Sequence, residues 1–216
     1  MIAFLVSTLP FLWDGLLVTL HVSALVVVAS LILGVLFGVG LVYGPWWVAL
    51  PLRAYSDVLR GIPLIVLIFL IYYGLPVLGL NFGNFAAVVV ALAAFKAAHV
   101  SEITRGAIQS IHAGQTDAGK AIGLTIRQRL QYVILPQAVR RFLPPWINSV
   151  AEAVKGSALV SLVGIVDLML AVQQVIGRTY DPLPLYMLGA AMYFVINYSL
   201  SQASRRLETR FAHIRE

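Results

Sequence analysis

GLLVTLHVSALVVVASLILGVLFGVGLVY, residues 15–43, decides the fold. No charged side chain interrupts this run, and a helix needs only about 20 largely apolar residues to cross a hydrocarbon core roughly 30 Å thick. A helix apolar on every face lies in a protein core or in lipid, and this one is long enough to be a membrane span. Gly34-x-x-x-Gly38 and Gly40-x-x-x-Gly44 have the spacing that lets helices approach closely in lipid, so a packing role is expected of them.

The remainder of the chain has the same character. Of 216 residues, 60% are hydrophobic and only 11% charged, and the mean hydropathy is +0.90. This composition excludes an ordinary soluble domain. The expectation is a single all-α integral membrane domain over 1–216 with five transmembrane helices, at about 15–43, 61–80, 85–108, 158–177 and 183–203. Pro63 sits in the first turn of the second span, where a missing N–H costs nothing. Lys96, His99 and Glu102 interrupt the third, and Asp167 lies inside the fourth. Trp46, Trp47, Tyr72 and Tyr73 suit membrane-interface positions. The first apolar stretch lacks a basic leader region, so it is read as a retained span with no cleaved signal peptide. With no cysteine, the chain has no disulfide, thiolate zinc site or cysteine nucleophile, and no metal site is expected.

The net charge of +6 would fit a nucleic-acid partner, but its placement follows membrane topology instead. Arg53 and Arg60 fall between spans one and two. Arg105, Lys120, Arg127, Arg129, Arg140 and Arg141 fall between three and four, and Arg205, Arg206, Arg210 and Arg215 follow span five. These alternate loops share one side, whereas Arg178 alone falls in an opposite loop. Because cytoplasmic loops keep their Lys and Arg, the N-terminus is expected outside and the C-terminus in the cytoplasm. No nucleic-acid partner is expected.

The loop at about 109–145 reads as two short helices. Gln115 to Ile122 forms the first, Gly123 ends it in the left-handed conformation, and Thr125 with Gln128 makes a capping box that starts the next. Pro136 is expected to stop or bend that second helix. Ala118, Gly119 and Ala121 give the first helix a face of small side chains suited to entering a groove on another protein. Gly114 to Lys120 also has P-loop spacing, but no strand precedes it and Ala121 stands where magnesium needs a hydroxyl, so it is read as a chance match.

DAGKAIG at 117–123 followed by ILP at 134–136 resembles the cytoplasmic signature of ABC importer permeases, Glu-Ala-Ala, three residues, Gly, nine residues, Ile-x-Leu-Pro. Asp117 stands for the family's Glu and Gly119 for its second Ala. Arg60-Gly61-Ile62-Pro63, Ser101 to Ile108, Gly114-Gln115 and Leu135-Pro136-Gln137-Ala138 with Arg140 are similar to the polar amino acid branch. The resemblance implies a type I importer permease in a bacterial inner membrane, carrying polar amino acids or related derivatives and forming its path as a dimer with itself or a second permease. It implies no catalysis and no cofactor on this chain. ATP and magnesium would sit on a separate ABC ATPase, coupled through Asp117, Ala118, Gly119, Ala121, Gly123 and Pro136, with a periplasmic or lipid-anchored solute-binding protein outside.

Ionisable groups at bilayer depth cost at least about 2.5 kcal/mol on insertion scales and need partners or water. Lys96 and His99 share one helix face and are candidates for lining the substrate path, as is Glu102, which points away from them. Lys96 has a second reading, a pair with an acid such as Asp167. Glu102 can pair with Arg105 across one turn. The family usually has Tyr at the position of His99. Lys155 resembles the lysine of the family's run entering span four; it reads either as a gating residue or as a helix-end lysine near lipid headgroups. Arg60, Pro63, Arg105, Lys155 and Asp167 are candidate gating or structural positions. A second class of function, a self-sufficient proton-coupled transporter using Lys96, His99 and Glu102, would show inverted repeats, and none is found.

Overall fold

Two of the helix 1 glycines meet helix 4 directly. In the computed structural model, which describes residues 2–212 with side chains for 7–207 and 209, α1 (Ile2–Tyr43) lies against α4 (Gly83–Gln109). A Cβ added at Gly34 would fall 2.5 Å from the Val100 Cβ, and one at Gly38 would fall 2.4 Å from the Thr104 Cβ. The first small-x-x-x-small pair is therefore a helix seam. The second is not. Gly40 meets Leu52 of the next helix, and Gly44 would clash with the Gly40 carbonyl where α1 ends.

As 34 rises to 38 its neighbour rises from 100 to 104, so α1 and α4 run in the same direction. Three helices among the described residues are long and apolar enough to cross a membrane: Ser7–Tyr43, Gly83–Gln109 and Pro182–Leu207. Two bent pairs bring the count to the five expected when each pair is taken as one span. The contacts make these five alternate in direction. Along α7 (Leu135–Gly156) and the 3-10 segment Ser157–Val163, Arg141, Glu152 and Val163 meet Ser110, Lys96 and Asn84 in turn, so the chain runs back along α4. α9 (Pro182–Ala212) returns, with Tyr193 against Asp167 and Ser204 against the Pro144 carbonyl.

Spans two and four differ from the sequence expectation. The segment 44–60 is no loop but a 16-residue helix, α2 (Trp46–Gly61), meeting the 14-residue α3 (Leu64–Val77) at 108°. At about 1.5 Å per residue α3 is shorter than the hydrocarbon core, so its span depends on α2. The corner is Arg60-Gly61-Ile62-Pro63, with Pro63 as the cap of α3. Polar groups of α2 hold it to α4: the Tyr55 hydroxyl donates to the Ala94 carbonyl at 2.7 Å and the Ser56 hydroxyl to the Ala98 carbonyl at 3.3 Å.

Span four is not a continuous helix over 158–177. The 3-10 segment ends at Gly164, whose φ of +81° is left-handed, and α8 (Leu168–Thr179) starts afresh with Asp167 as its cap, the pair being bent by 51°. Pro136 likewise neither stops nor sharply bends its helix. α6 (Ile126–Arg129) passes into α7 through a π turn, Leu130–Ile134. Proline has no N–H and its ring crowds the carbonyl four residues back; the wider turn accommodates both, closed by Leu135 N–H donating to the Leu130 carbonyl.

The core follows the seam. Val22, Val26, Ile68, Val88, Ala91, Leu92, Ala153 and Val160 form one buried cluster among the middle of α1, α3, α4 and the α7 region, and Leu12, Leu16, Leu168, Val172 and Leu185 form a second nearer the start of α1. Gly38→Val should lower the melting temperature of the detergent-purified chain, since overpacking costs typically about 1–3 kcal/mol. Gly106→Ala on the same α4 meets nothing within 4 Å and should leave the melting temperature unchanged or raised, because alanine is the better helix former.

Candidate functional site

The loop after α4 is rigid for local reasons. α5 (Ala113–Ala121) opens with the His112 Nδ1 accepting from the Gly114 N–H at 3.1 Å. It closes on Gly123, φ +79°, with Gly123 N–H donating to the Lys120 carbonyl and Leu124 N–H to the Gly119 carbonyl, both at 2.9 Å. Those two bonds make a Schellman cap, for which the left-handed residue is best a glycine. The Thr125–Gln128 capping box is formed as read from the sequence, and starts α6 one turn later.

The small-residue face divides. Ala118 and Ala121 are exposed, and Ile122 beside them is 76% exposed. Gly119 is not on that face; it is buried under Arg129, whose Cγ would lie 2.9 Å from an added Cβ. Its smallness lets the α6 arginine cross α5. Lys120 donates to Asp117 at 2.9 Å, and that ammonium holds the exposed Asp117 carboxyl below its ordinary pKa. Gly114 to Lys120 lies within α5, so its later amides are committed to helix hydrogen bonds and form no phosphate cradle. The turn between α4 and α5 is held by Arg141, whose guanidinium donates to the Ser110 carbonyl.

The three polar residues of α4 go to three different places. Lys96, buried, donates to Glu152 of α7 at 3.0 Å; its partner is not Asp167. His99 turns back on its own helix, with Nδ1 3.0 Å from the Phe95 carbonyl and its ring beside that of Phe95. Glu102 accepts from Arg105 at 2.6 and 3.1 Å and lies 3.6 Å from Arg60 of α2, while Arg105 also donates to Gln109. No single relay joins the three.

Asp167 is fully buried and structural in its contacts. One carboxylate oxygen accepts from the Leu170 N–H at 3.0 Å and the other from the Tyr193 hydroxyl at 3.3 Å. Thr19 of α1 accepts from the Leu168 N–H, and Gly15 allows α8 to approach, its added Cβ falling 2.9 Å from the Asp167 carbonyl. One carboxylate thus ties α8 to α9 at the point where α1 approaches.

Lys155 lies in the last turn of α7. Lys96 is the midpoint of α4, Glu152 stands beside it, and Lys155 is one turn further along α7. Asn148, Glu152 and Lys155, at helical spacing on α7, are all exposed, Glu152 by 59% of its side chain. Sequence reasoning missed Glu152 because it ended the loop at about 145, began the fourth span at about 158 and gave the residues between to neither. The signal was present: Asn148, Glu152 and Lys155 recur at helical spacing between Trp146 and Val160.

The chain matches the family described as "Binding-protein-dependent transport system inner membrane component" over residues 30–213. It is 37% identical over 206 residues to the probable glutamine ABC transporter permease protein GlnP of Bacillus subtilis (strain 168), covering 94% of each chain. To the glutamine transport system permease protein GlnP of Escherichia coli (strain K12) it is 35% identical over 204 residues, covering 94% of this chain and 93% of that one. A solved structure described as an amino acid ABC transporter with histidines superposes with a TM-score of 0.90 at 34% identity, over 96% of this chain and 97% of the other. An all-helical bundle with a broken fourth span and a capped helical loop is the fold of a transporter's membrane component, and this chain belongs to that family, among its amino acid ABC transporter permeases. It is a multi-pass inner-membrane permease subunit, whose ATPase and binding protein are separate partners.

Glu152→Ala would leave the buried Lys96 ammonium without an acceptor, at a cost of about 1–3 kcal/mol, whereas Lys96→Met removes charge and desolvation together and should be near neutral for stability. Thermal unfolding in detergent tests the order; a larger loss for Lys96→Met would contradict the pairing.

Proposed function

We propose that this chain is half of the translocation path of an ATP-driven importer of polar amino acids, working as a dimer with itself or a second permease. In this reading the end bearing α5 is cytoplasmic. The observation that carries it is the exposed surface of Ala118, Ala121 and Ile122 on a helix capped at both ends. The helix is joined to α4 by three residues and pinned through Arg141. Closure of an ATPase pair moves membrane helices only through a contact that does not slip, and a doubly capped helix fixed to the central span meets that demand. ATP and magnesium belong to the partner. Asp117 presents a charge at the edge of the surface, Gly123 sets its geometry, and Pro136 with its π turn sets how the following helix leaves it.

Sidedness is supported by charge. Arg53, Arg60, Arg105, Lys120, Arg127, Arg129, Arg140, Arg141, Arg205 and Arg206 gather at one end, and Arg178 lies at the other; the Arg210 side chain and Arg215 lie outside the described residues. The positive-inside rule then puts the C-terminal end in the cytoplasm and the N-terminal end outside, facing the solute-binding protein. Dimerisation is supported by the exposed α7 strip, because Glu152 and Lys155 facing lipid at mid-depth would each cost about 2.5–3.5 kcal/mol. Water and a second permease cover that face at lower cost. A zwitterion fits between a carboxylate and two ammonium groups, in keeping with the glutamine named for the two relatives and the histidines of the solved transporter. Glu102, held by Arg105 and Arg60, and His99, held to its own helix, are then wall and frame of the path.

Ala118→Arg puts a long cation on the exposed face without touching either cap. It should abolish uptake and co-purification of the ATPase while membrane insertion and melting temperature stay unchanged; undiminished ATPase capture would refute the docking assignment.

A further inference from the structure

A groove of about 320 Å³ opens where α1 and α4 end, lined by Val39 and Tyr43 of α1, Ile108 of α4, and the π turn and its flanks on the far side. Leu130, Gln131 and Ile134 of that turn all line it, with Leu135 and Ala138 beyond. The π turn forms the wall that faces α1 across the groove. The groove's wall is aliphatic apart from the Tyr43 ring and the two polar side chains, Arg127 and Gln131. Arg127 is exposed and, among the described residues, makes no ion pair. Exposed Trp46 and Trp47 stand three and four residues after Tyr43, suited to the aromatic belt of a membrane surface, at the end of the bundle that carries the arginines.

We propose that this groove holds an acyl chain of an anionic phospholipid from the leaflet at that end, with the lipid phosphate against the Arg127 guanidinium and a Gln131 amide donor beside it. Charge and position select this occupant. An aliphatic trough open to the bilayer with an unpaired guanidinium at headgroup depth matches a chain joined to a phosphate. Neutral lipid would match the trough and leave the net charge unanswered. The lipid then fills the space between the α1–α4 seam and the segment that follows α5, and stiffens that segment. The site would exist whether or not α5 docks an ATPase, so its test is independent of transport.

The full chain in mild detergent, titrated with phosphatidylglycerol or phosphatidylcholine and read by native mass spectrometry, should retain one phosphatidylglycerol in preference to phosphatidylcholine. Arg127→Gln, exposed and without fold-bearing contacts, should weaken retention of phosphatidylglycerol about five-fold. Ala138→Phe, which fills the groove, should abolish retention of either lipid there, and Arg53→Gln, off the groove, should change nothing. A benzophenone side chain placed at Gln131 should label phospholipid in native membranes. Equal retention of the two lipids, unaltered retention in both Arg127→Gln and Ala138→Phe, or a label found on polypeptide would overturn the assignment.

Discussion

Two residues without side chains allow the backbone of α1 to lie on α4, and the rest of the bundle is arranged around that contact. In lipid no hydrophobic force draws helices together, so close van der Waals packing and hydrogen bonds must do it. With Gly34 and Gly38 taking one face of α4, α2 uses another through Tyr55 and Ser56, and α7 a third through the Lys96–Glu152 pair. α4 is thereby fixed on several sides, and the helix that leaves its end inherits the rigidity. Ser110, Ile111 and His112 are all that separate α4 from α5, and Arg141 closes even that short gap.

The charges inside the bundle are sorted by what surrounds them. Asp167 is enclosed and fully engaged in capping and hydrogen bonding, so it holds α8 in place. Lys96 is enclosed too, but its acceptor reaches out to an exposed strip shared with Asn148 and Lys155. A buried ammonium held by an exposed carboxylate is a pairing that an incoming charged solute can compete for.

Much of this was legible in the residues. The apolar runs marked both ends of α4, the end of α1 and the start of α9 to within a few residues, while α1 begins well before 15 and α9 runs well past 203; Gly123, Thr125 and Gln128 carried their caps in plain form. What failed had a common cause: reading a proline, a charge or a polar stretch as an interruption. Pro136 widened a helix because a π turn absorbs both its missing N–H and its ring. Asp167 sits at a helix start because the preceding backbone turns at Gly164. The stretch holding Arg53 and Arg60 was taken for loop, although Tyr55, Ser56 and Arg60 at helical spacing place hydrogen-bonding groups against α4. Glu152 was hidden by the same error, since its helix was thought to begin six residues later. Gly119 failed otherwise: composition reported a small residue, and only the crossing of Arg129 shows which way it faces.

The central claim is that α5 is a cytoplasmic contact surface rigidly joined to the membrane core. The chain has no native cysteine, so a single Ile122→Cys offers one reactive site on that surface. Labelled with a membrane-impermeant maleimide, it should react in inside-out vesicles, be protected when the ATPase subunit is bound, and stay unlabelled in right-side-out vesicles. Labelling from the outside, or no protection by bound ATPase, would contradict the account.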